Sequence, residues 1–252
     1  MCRLSAGGHR DGPGHIDPVA VARRQHRYSH DMAIYLVRHT APNIKPGICY
    51  GATNVPVHEA EFARVIPLID AALPTSALVV ASPLTRCRRL ADFLAMQSNE
   101  REVVVDEHLV ERDLGCWTNK MWEDIPRDDA RAFAANFLDH WPPPVQTENG
   151  PVLRGAEIAP HVGAGESVRA MQTRVLRGFD AAWELAAGRN LVIVAHAGPI
   201  AAMIAHWQGE PLRRGIDPSP GCGDVVQLAF VDGRQQALIA RRASPPAEAD
   251  SF

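Results

Sequence analysis

The stretch AIYLVRHT, residues 33–40, decides how this chain folds. Ala33 to Val37 is a continuous apolar run, too short for a helix, of the kind that forms a strand buried on both faces. It runs without a break into Arg38 and His39. LVIVAHAGPI (191–200) repeats the arrangement, with Leu191–Ala195 leading straight into His196 and then Ala197-Gly198-Pro199, a helix start. ALVVASPLTR (77–86) ends its run in Ser82-Pro83, with Arg86 in the first turn of the next helix.

Working outward, short β-branched runs alternate with longer helical periodicities, the pattern of a parallel or mostly parallel sheet with helices on both faces. Val103–Val105 is a shorter strand candidate, and Val225–Phe230 with Gln235–Ala240 flank an Asp232-Gly233 turn, predicting a closing hairpin. Helices are expected at about 59–73, 84–97, 127–140, 167–187 and 198–208. The fourth carries Val168, Met171, Val175, Phe179, Ala182 and Ala186 on one face. Pro67 is expected to kink or split the first. Trp141 to Gly165, with Pro142, Pro143 and Pro144, reads as a long loop of the kind that forms lids or insertions.

The domain is expected to span 32–242. Residues 1–31 hold few large apolar side chains and read as a disordered extension, with Met32 as an alternative start; 243–252, ASPPAEADSF, read as a disordered tail. The chain has 252 residues, 46% of them hydrophobic, so it can bury a sizeable core; its 26 basic and 29 acidic side chains leave a net charge of -3, which argues against a nucleic-acid partner. No apolar run approaches the roughly 18 residues of a membrane span, and the N-terminus lacks a signal-peptide core. The five cysteines (2, 49, 87, 116, 222) are scattered without a C-x-x-C pair. A cytoplasmic protein, free of membrane and acting as monomer or homodimer, is the expectation.

In open α/β sheets ligands bind beyond the carboxyl ends of the strands, so Arg38, His39, Arg86 and His196 are expected to converge there. Two histidines and two forked guanidinium groups suit a tetrahedral dianion, hence a small phosphate ester. The arginine beside His39 disfavours a two-histidine-one-carboxylate metal centre completed by Glu111, so no metal or other cofactor is expected. With neither a Walker A sequence nor a carboxylate cluster for magnesium, the pattern points to imidazole as nucleophile. The leaving oxygen then needs an acid; Glu111 in LVERDLGCW (109–117) is the first candidate and Asp113 the second.

Five motifs, LVRHT (36–40), SPLTR (82–86), LVERDLGCW (109–117), GES (165–167) and VAHAGPI (194–200), resemble in chain order those of the histidine phosphatase superfamily, over Ala33 to about Ala240. The resemblance implies the phosphoglycerate-mutase-like fold, a three-layer α/β/α sandwich around a mostly parallel sheet. It implies that His39 is phosphorylated, that Arg38, Arg86 and His196 hold phosphoryl oxygens, that Glu111 donates the proton, and that Ala197 borders the substrate. Two positions depart from the usual pattern: Thr40 replaces glycine after the nucleophile, with a hydroxyl able to touch phosphate, and Thr118-Asn119 replaces an acidic-glycine pair. PGICYGATNVP (46–56) resembles the α-ribazole phosphatase branch, implying that Cys49 and Tyr50 wall the pocket and that α-ribazole 5′-phosphate is the substrate. A broad-specificity phosphatase, a mutase and a non-catalytic phospho-ligand-binding protein are the alternatives. A phosphoglycerate would want one more cationic group, which the sequence does not identify.

Overall fold

The computed structural model describes residues 32–144, 163–231 and 234–243. The expected extension (1–31), the Asp232-Gly233 turn, most of the 142–163 loop and the tail beyond Ala243 lie outside the described residues. Ala243 itself, expected in the tail, is buried, and its backbone N–H donates to Asp224 Oδ1 at 2.8 Å.

Among the described residues six strands form one sheet: β1 (Ile34–Arg38), β2 (Ala77–Ala81), β3 (Arg101–Val105), β4 (Leu191–Ala195), β5 (Val225–Val231) and β6 (Arg234–Arg241). Their order is β3-β2-β4-β1-β5-β6. The first four in that order are mutually parallel, and β5 runs antiparallel to both β1 and β6. β2 and β4 are buried along their whole length, as their unbroken apolar runs require. The fold is thus a mixed α/β sandwich with a mostly parallel centre.

Among the described residues five α-helices flank the sheet: α1 (Glu59–Asp70), α2 (Thr85–Gln97), α3 (Arg127–Ala135), α4 (Val168–Ala186) and α5 (Ala197–Gln208). Alternate strand residues face opposite ways. Val37, Val79, Val192 and Val194 therefore meet Phe62, Val65 and Ile69 of α1 and Leu90 and Leu94 of α2 on one face. α4 and α5 pack on each other and on the strands from the other face. Ser167 caps α4 by accepting from the Ala170 N–H at 3.1 Å.

Two expectations are corrected. α1 runs through Pro67 as one helix and stops at Asp70; Pro67 removes one N–H but its carbonyl still accepts from Ala71 at 3.1 Å. α3 stops at Ala135 instead of reaching 140, because Asn136 leaves the helical region (φ -134, ψ 60) and Phe137 and His140 turn back onto Phe133. Among the described residues no helix is long and apolar enough to cross a membrane.

Candidate active site

The register places the first pair. Arg38 is aligned with Ala195 across the parallel β1–β4 ladder, so the next residues, His39 and His196, emerge side by side. Their ring centroids lie 5.1 Å apart. His39 is buried, its backbone N–H bonds the Ala195 carbonyl, and its Nδ1 lies 2.7 Å from the Thr40 carbonyl oxygen. A carbonyl can only accept, so Nδ1 carries the proton and Nε2 keeps its lone pair. Burial, then the charges of Arg86 and Arg38, hold this imidazole well below the usual histidine value of 6.5.

His196 is at once the residue after β4 and the N-cap of α5, with extended backbone and no capping bond from its side chain. That side chain is free to reach sideways. Nδ1 accepts from Arg86 Nε at 3.2 Å, which leaves Nε2 to donate to Ser82 Oγ at 2.8 Å. Burial, Arg86 and His39 push its ionisation well below 6.5 too. The Cys87 thiol lies 3.5 Å from Nε2, and burial raises its ionisation to about 12, so it is a neutral neighbour.

Arg86 is fully buried in the first turn of α2. Nη1 and Nη2 donate to the carbonyls of Thr53 (2.7 Å) and Gly51 (2.8 Å), and the guanidinium lies 5.1 Å over the Tyr50 ring. Three of the five guanidinium N–H groups are used in this way, which leaves two for a ligand. Arg38 Nη1 donates to the Pro220 carbonyl at 2.9 Å. Because β5 is antiparallel to β1, the Pro218–Asp224 segment that precedes it arrives at the carboxyl end of β1, and the Gly223 N–H bonds the carbonyls of Arg38 and His39 at 3.0 Å.

Glu111 lies against the start of α5: Oε2 accepts from the Gly198 N–H at 3.3 Å and Oε1 from the Arg112 N–H at 2.9 Å. The positive end of α5 favours a carboxylate there. A Cβ on Gly198 would fall 2.5 Å from Glu111 Oε1, so a side chain there would push the carboxyl group off its seat. Asp113, the second sequence candidate for the acid, is structural. Its Oδ1 accepts from Gly115 and its Oδ2 from Gly163 and Gly165, which ties the 163–165 turn to this segment. Arg174 of α4 grips the stretch leading to Glu111 through the His108 and Val110 carbonyls (2.7 and 2.9 Å), and is itself held by Glu166.

Thr40 Oγ1 is buried with no hydrogen-bond partner among the described residues. Cys49 is buried on the wall, its backbone paired with Asn119 and Lys120, and desolvation raises its thiol to about 12. Ala197, the first residue of α5, is buried beside the histidines. Asn119 explains one departure from the expected pattern: its φ of 67° is the left-handed conformation that glycine adopts freely and asparagine tolerates best among other residues.

Sequence reasoning passed over Ser82, Cys87, the Pro218–Asp224 segment and Arg174. Only two left a trace: Ser82 at its strand end, and Glu166 of the GES motif, the carboxylate that holds Arg174. Altogether the site offers a neutral imidazole with a free lone pair, a fork of cationic donors and a carboxyl group, the set needed to move a phosphoryl group.

A profile of the histidine phosphatase superfamily (branch 1) matches residues 34–240. No curated protein matches the chain. Among solved structures, the alpha-ribazole phosphatase from Shigella flexneri superposes with a TM-score of 0.64 at 20% identity, over 86% of this chain and 100% of that one. YhfR of Bacillus stearothermophilus gives 0.63 at 19% identity, over 82% and 96%. The mycobacterial glucosyl-3-phosphoglycerate phosphatase gives 0.60 at 21% identity, over 85% and 99%. At these identities the likeness is one of fold.

Proposed function

The chain belongs to the histidine phosphatase superfamily, and on that premise we propose that it hydrolyses phosphomonoesters through a phosphohistidine formed on Nε2 of His39. The observation that carries this reading is the Nδ1–Thr40 hydrogen bond, which presents Nε2 as a neutral nucleophile between two arginines.

Nε2 attacks phosphorus in line, the bond to the ester oxygen breaks, and the departing oxygen takes the proton of the Glu111 carboxyl group. The remaining N–H donors of Arg86, with Arg38, meet the charge that gathers on the other phosphoryl oxygens, and His196 joins them by passing its one N–H from Ser82 Oγ to a phosphoryl oxygen. Water then attacks the phosphohistidine, giving its proton to the Glu111 carboxylate. The P–N bond breaks, the lone pair returns to Nε2, and inorganic phosphate leaves. The balance requires no metal.

Rapid quenching with labelled substrate tests the reading. Acid-labile, base-stable label on the wild-type protein is the expected result, and free label throughout, with His39→Ala still turning over, would overturn it. For the alcohol, α-ribazole 5′-phosphate is the first substrate to compare, supported by the resemblance of PGICYGATNVP and by the fold likeness to the Shigella enzyme. A second reading, an ester whose alcohol is itself acidic, is favoured by Arg112, buried beside Glu111 with Nη1 unpartnered among the described residues.

A further inference from the structure

We infer that Asp224 is a positioning residue of the site: it aims the Arg38 guanidinium by holding the Pro220–Gly221 peptide from its far edge. This rests on the reading that Arg38 meets the phosphoryl group, and adds to it a residue that acts only through another.

Arg38 ends β1 and is half-buried. A long side chain must be fastened at its head before it can serve a fixed phosphoryl position, since each free rotamer costs entropy when the ligand arrives. The fastening is the Pro220 carbonyl, which accepts from Nη1 at 2.9 Å. That carbonyl shares one planar peptide unit with the Gly221 N–H. The cis bond of this segment is Asp217-Pro218, so the Pro220–Gly221 unit is trans and its C=O and N–H point opposite ways. On the opposite edge the Gly221 N–H donates to Asp224 Oδ2 at 2.9 Å. Arg38 and Asp224 therefore grip one rigid plane from its two sides. A charged acceptor on the N–H also polarises the amide, which makes the Pro220 oxygen the better acceptor for the guanidinium.

Asp224 is itself fixed. It is only 2% exposed, Oδ1 accepts from the Ala243 N–H at 2.8 Å, and Oδ2 accepts from Arg242 Nη1 at 3.1 Å as well. These donors offset the cost of burying the carboxylate. Its backbone closes the same turn, with the N–H on the Gly221 carbonyl at 3.1 Å and the carbonyl on the Arg38 N–H at 3.2 Å. Between them Gly223 (φ 81°) lets the segment lie against α1, where a Cβ would fall 2.5 Å from Val65 Cγ1. The turn thus has a firm base. A carboxylate that served only to close it would need nothing on the far edge of the peptide; here that edge carries a cation of the phosphoryl cradle.

The test is a double-mutant cycle on the affinity of the full chain for inorganic phosphate, read by calorimetry in wild type, Asp224→Ala, Arg38→Gln and the double variant. Arg38→Gln should weaken phosphate by at least about tenfold, the contribution of one charge-assisted hydrogen bond. Asp224→Ala should weaken it by at least about threefold when Arg38 is present and by less than about twofold in Arg38→Gln. A merely structural aspartate lowers the melting temperature but costs the same affinity in both backgrounds, or none. Any pattern short of the three expected values overturns the assignment.

If Asp224→Ala does not fold, the link is read with the carboxylate intact. Because coupling is reciprocal, phosphate should slow hydrogen exchange of the Gly221 amide at least about threefold in the wild type and less than about twofold in Arg38→Gln. Equal slowing in both, or none in the wild type, overturns it. Turnover of p-nitrophenyl phosphate is measured apart: its absence strikes the catalytic reading, while the phosphate cycle, which consumes no substrate, still decides the role of Asp224.

Discussion

Where β1, β2 and β4 end, the polar groups are bonded: His39 through Nδ1, His196 through both nitrogens, Arg86 through three donors. On the wall beside them, made by residues 45–53 and 112–141, Arg112 Nη1, Thr118 Oγ1, Asn119 Oδ1 and His140 Nε2 are buried and unpartnered among the described residues. The groups named are buried in both regions, so exposure does not explain the contrast. The floor is held by sheet register, and its side chains are fixed in place before a ligand arrives while Arg86 and His39 keep groups to meet it, as preorganised electrostatics demand. The wall is assembled from loops and leaves donors and acceptors idle. The proposed function assigns chemistry to the first region and the choice of substrate to the second. On the floor, Thr40 Oγ1, next to His39, is buried and unpartnered among the described residues.

If that division is right, the largest losses come from the floor. His39→Ala should lower kcat by at least about 10⁴-fold, since no other group forms the covalent intermediate; residual turnover within a hundredfold of wild type would break the assignment. Arg86→Lys should cost about 10²- to 10³-fold, because one ammonium cannot bridge Thr53, Gly51 and His196 and still meet phosphate. Steady-state kinetics with and without EDTA check this, with no effect of the chelator expected. Arg174→Lys probes the join between the regions. It should slow alkyl phosphates about tenfold and p-nitrophenyl phosphate far less, because a good leaving group needs little help from a loosened Glu111. Equal loss on both substrates would detach Arg174 from the acid.

The smallest effect is on stability. His39 and His196 are both held well below 6.5, chiefly by burial. Between those values and 6.5 the unfolded chain binds protons that the folded chain refuses. Stability is therefore complete above about pH 6.5 and is lost as the pH falls below it, by up to about 1.4 kcal/mol per pH unit for each histidine. Urea melts at pH 7.5, 6.0 and 5.0 measure the slope, and His196→Gln should reduce it. A wall variant such as Arg214→Gln should leave the slope alone.

The same division governs what could be read without coordinates. The floor was legible because a strand end is a sequence event: an apolar run stops, and the next residue must lie at the sheet's carboxyl edge. That logic located His39, His196 and Arg86 before any contact was known. It could not choose between Glu111 and Asp113, which stand two residues apart in a segment without periodicity; only the structure shows that Asp113 ties down the 163–165 turn while Glu111 sits at the start of α5. The approach of Arg112 and Arg214 to the Phe133 ring left no trace, since it joins two loops through one phenylalanine whose helix ends earlier than its periodicity suggests. Pro67 misled in the other direction, because α1 tolerates the one N–H it loses.

Glycine at 198 also gives the site a reporter. The amide that carries Glu111 Oε2 belongs to a residue type whose nuclear resonances stand apart from the rest, and the carboxylate is hydrogen-bonded directly to it. The proton shift of that amide is expected to report whether the carboxyl group is seated on it, with no substrate or mutation needed. Its exchange with deuterium would time how often the carboxyl group leaves its seat. The state of the acid is thereby readable in the resting protein, one backbone hydrogen at a time.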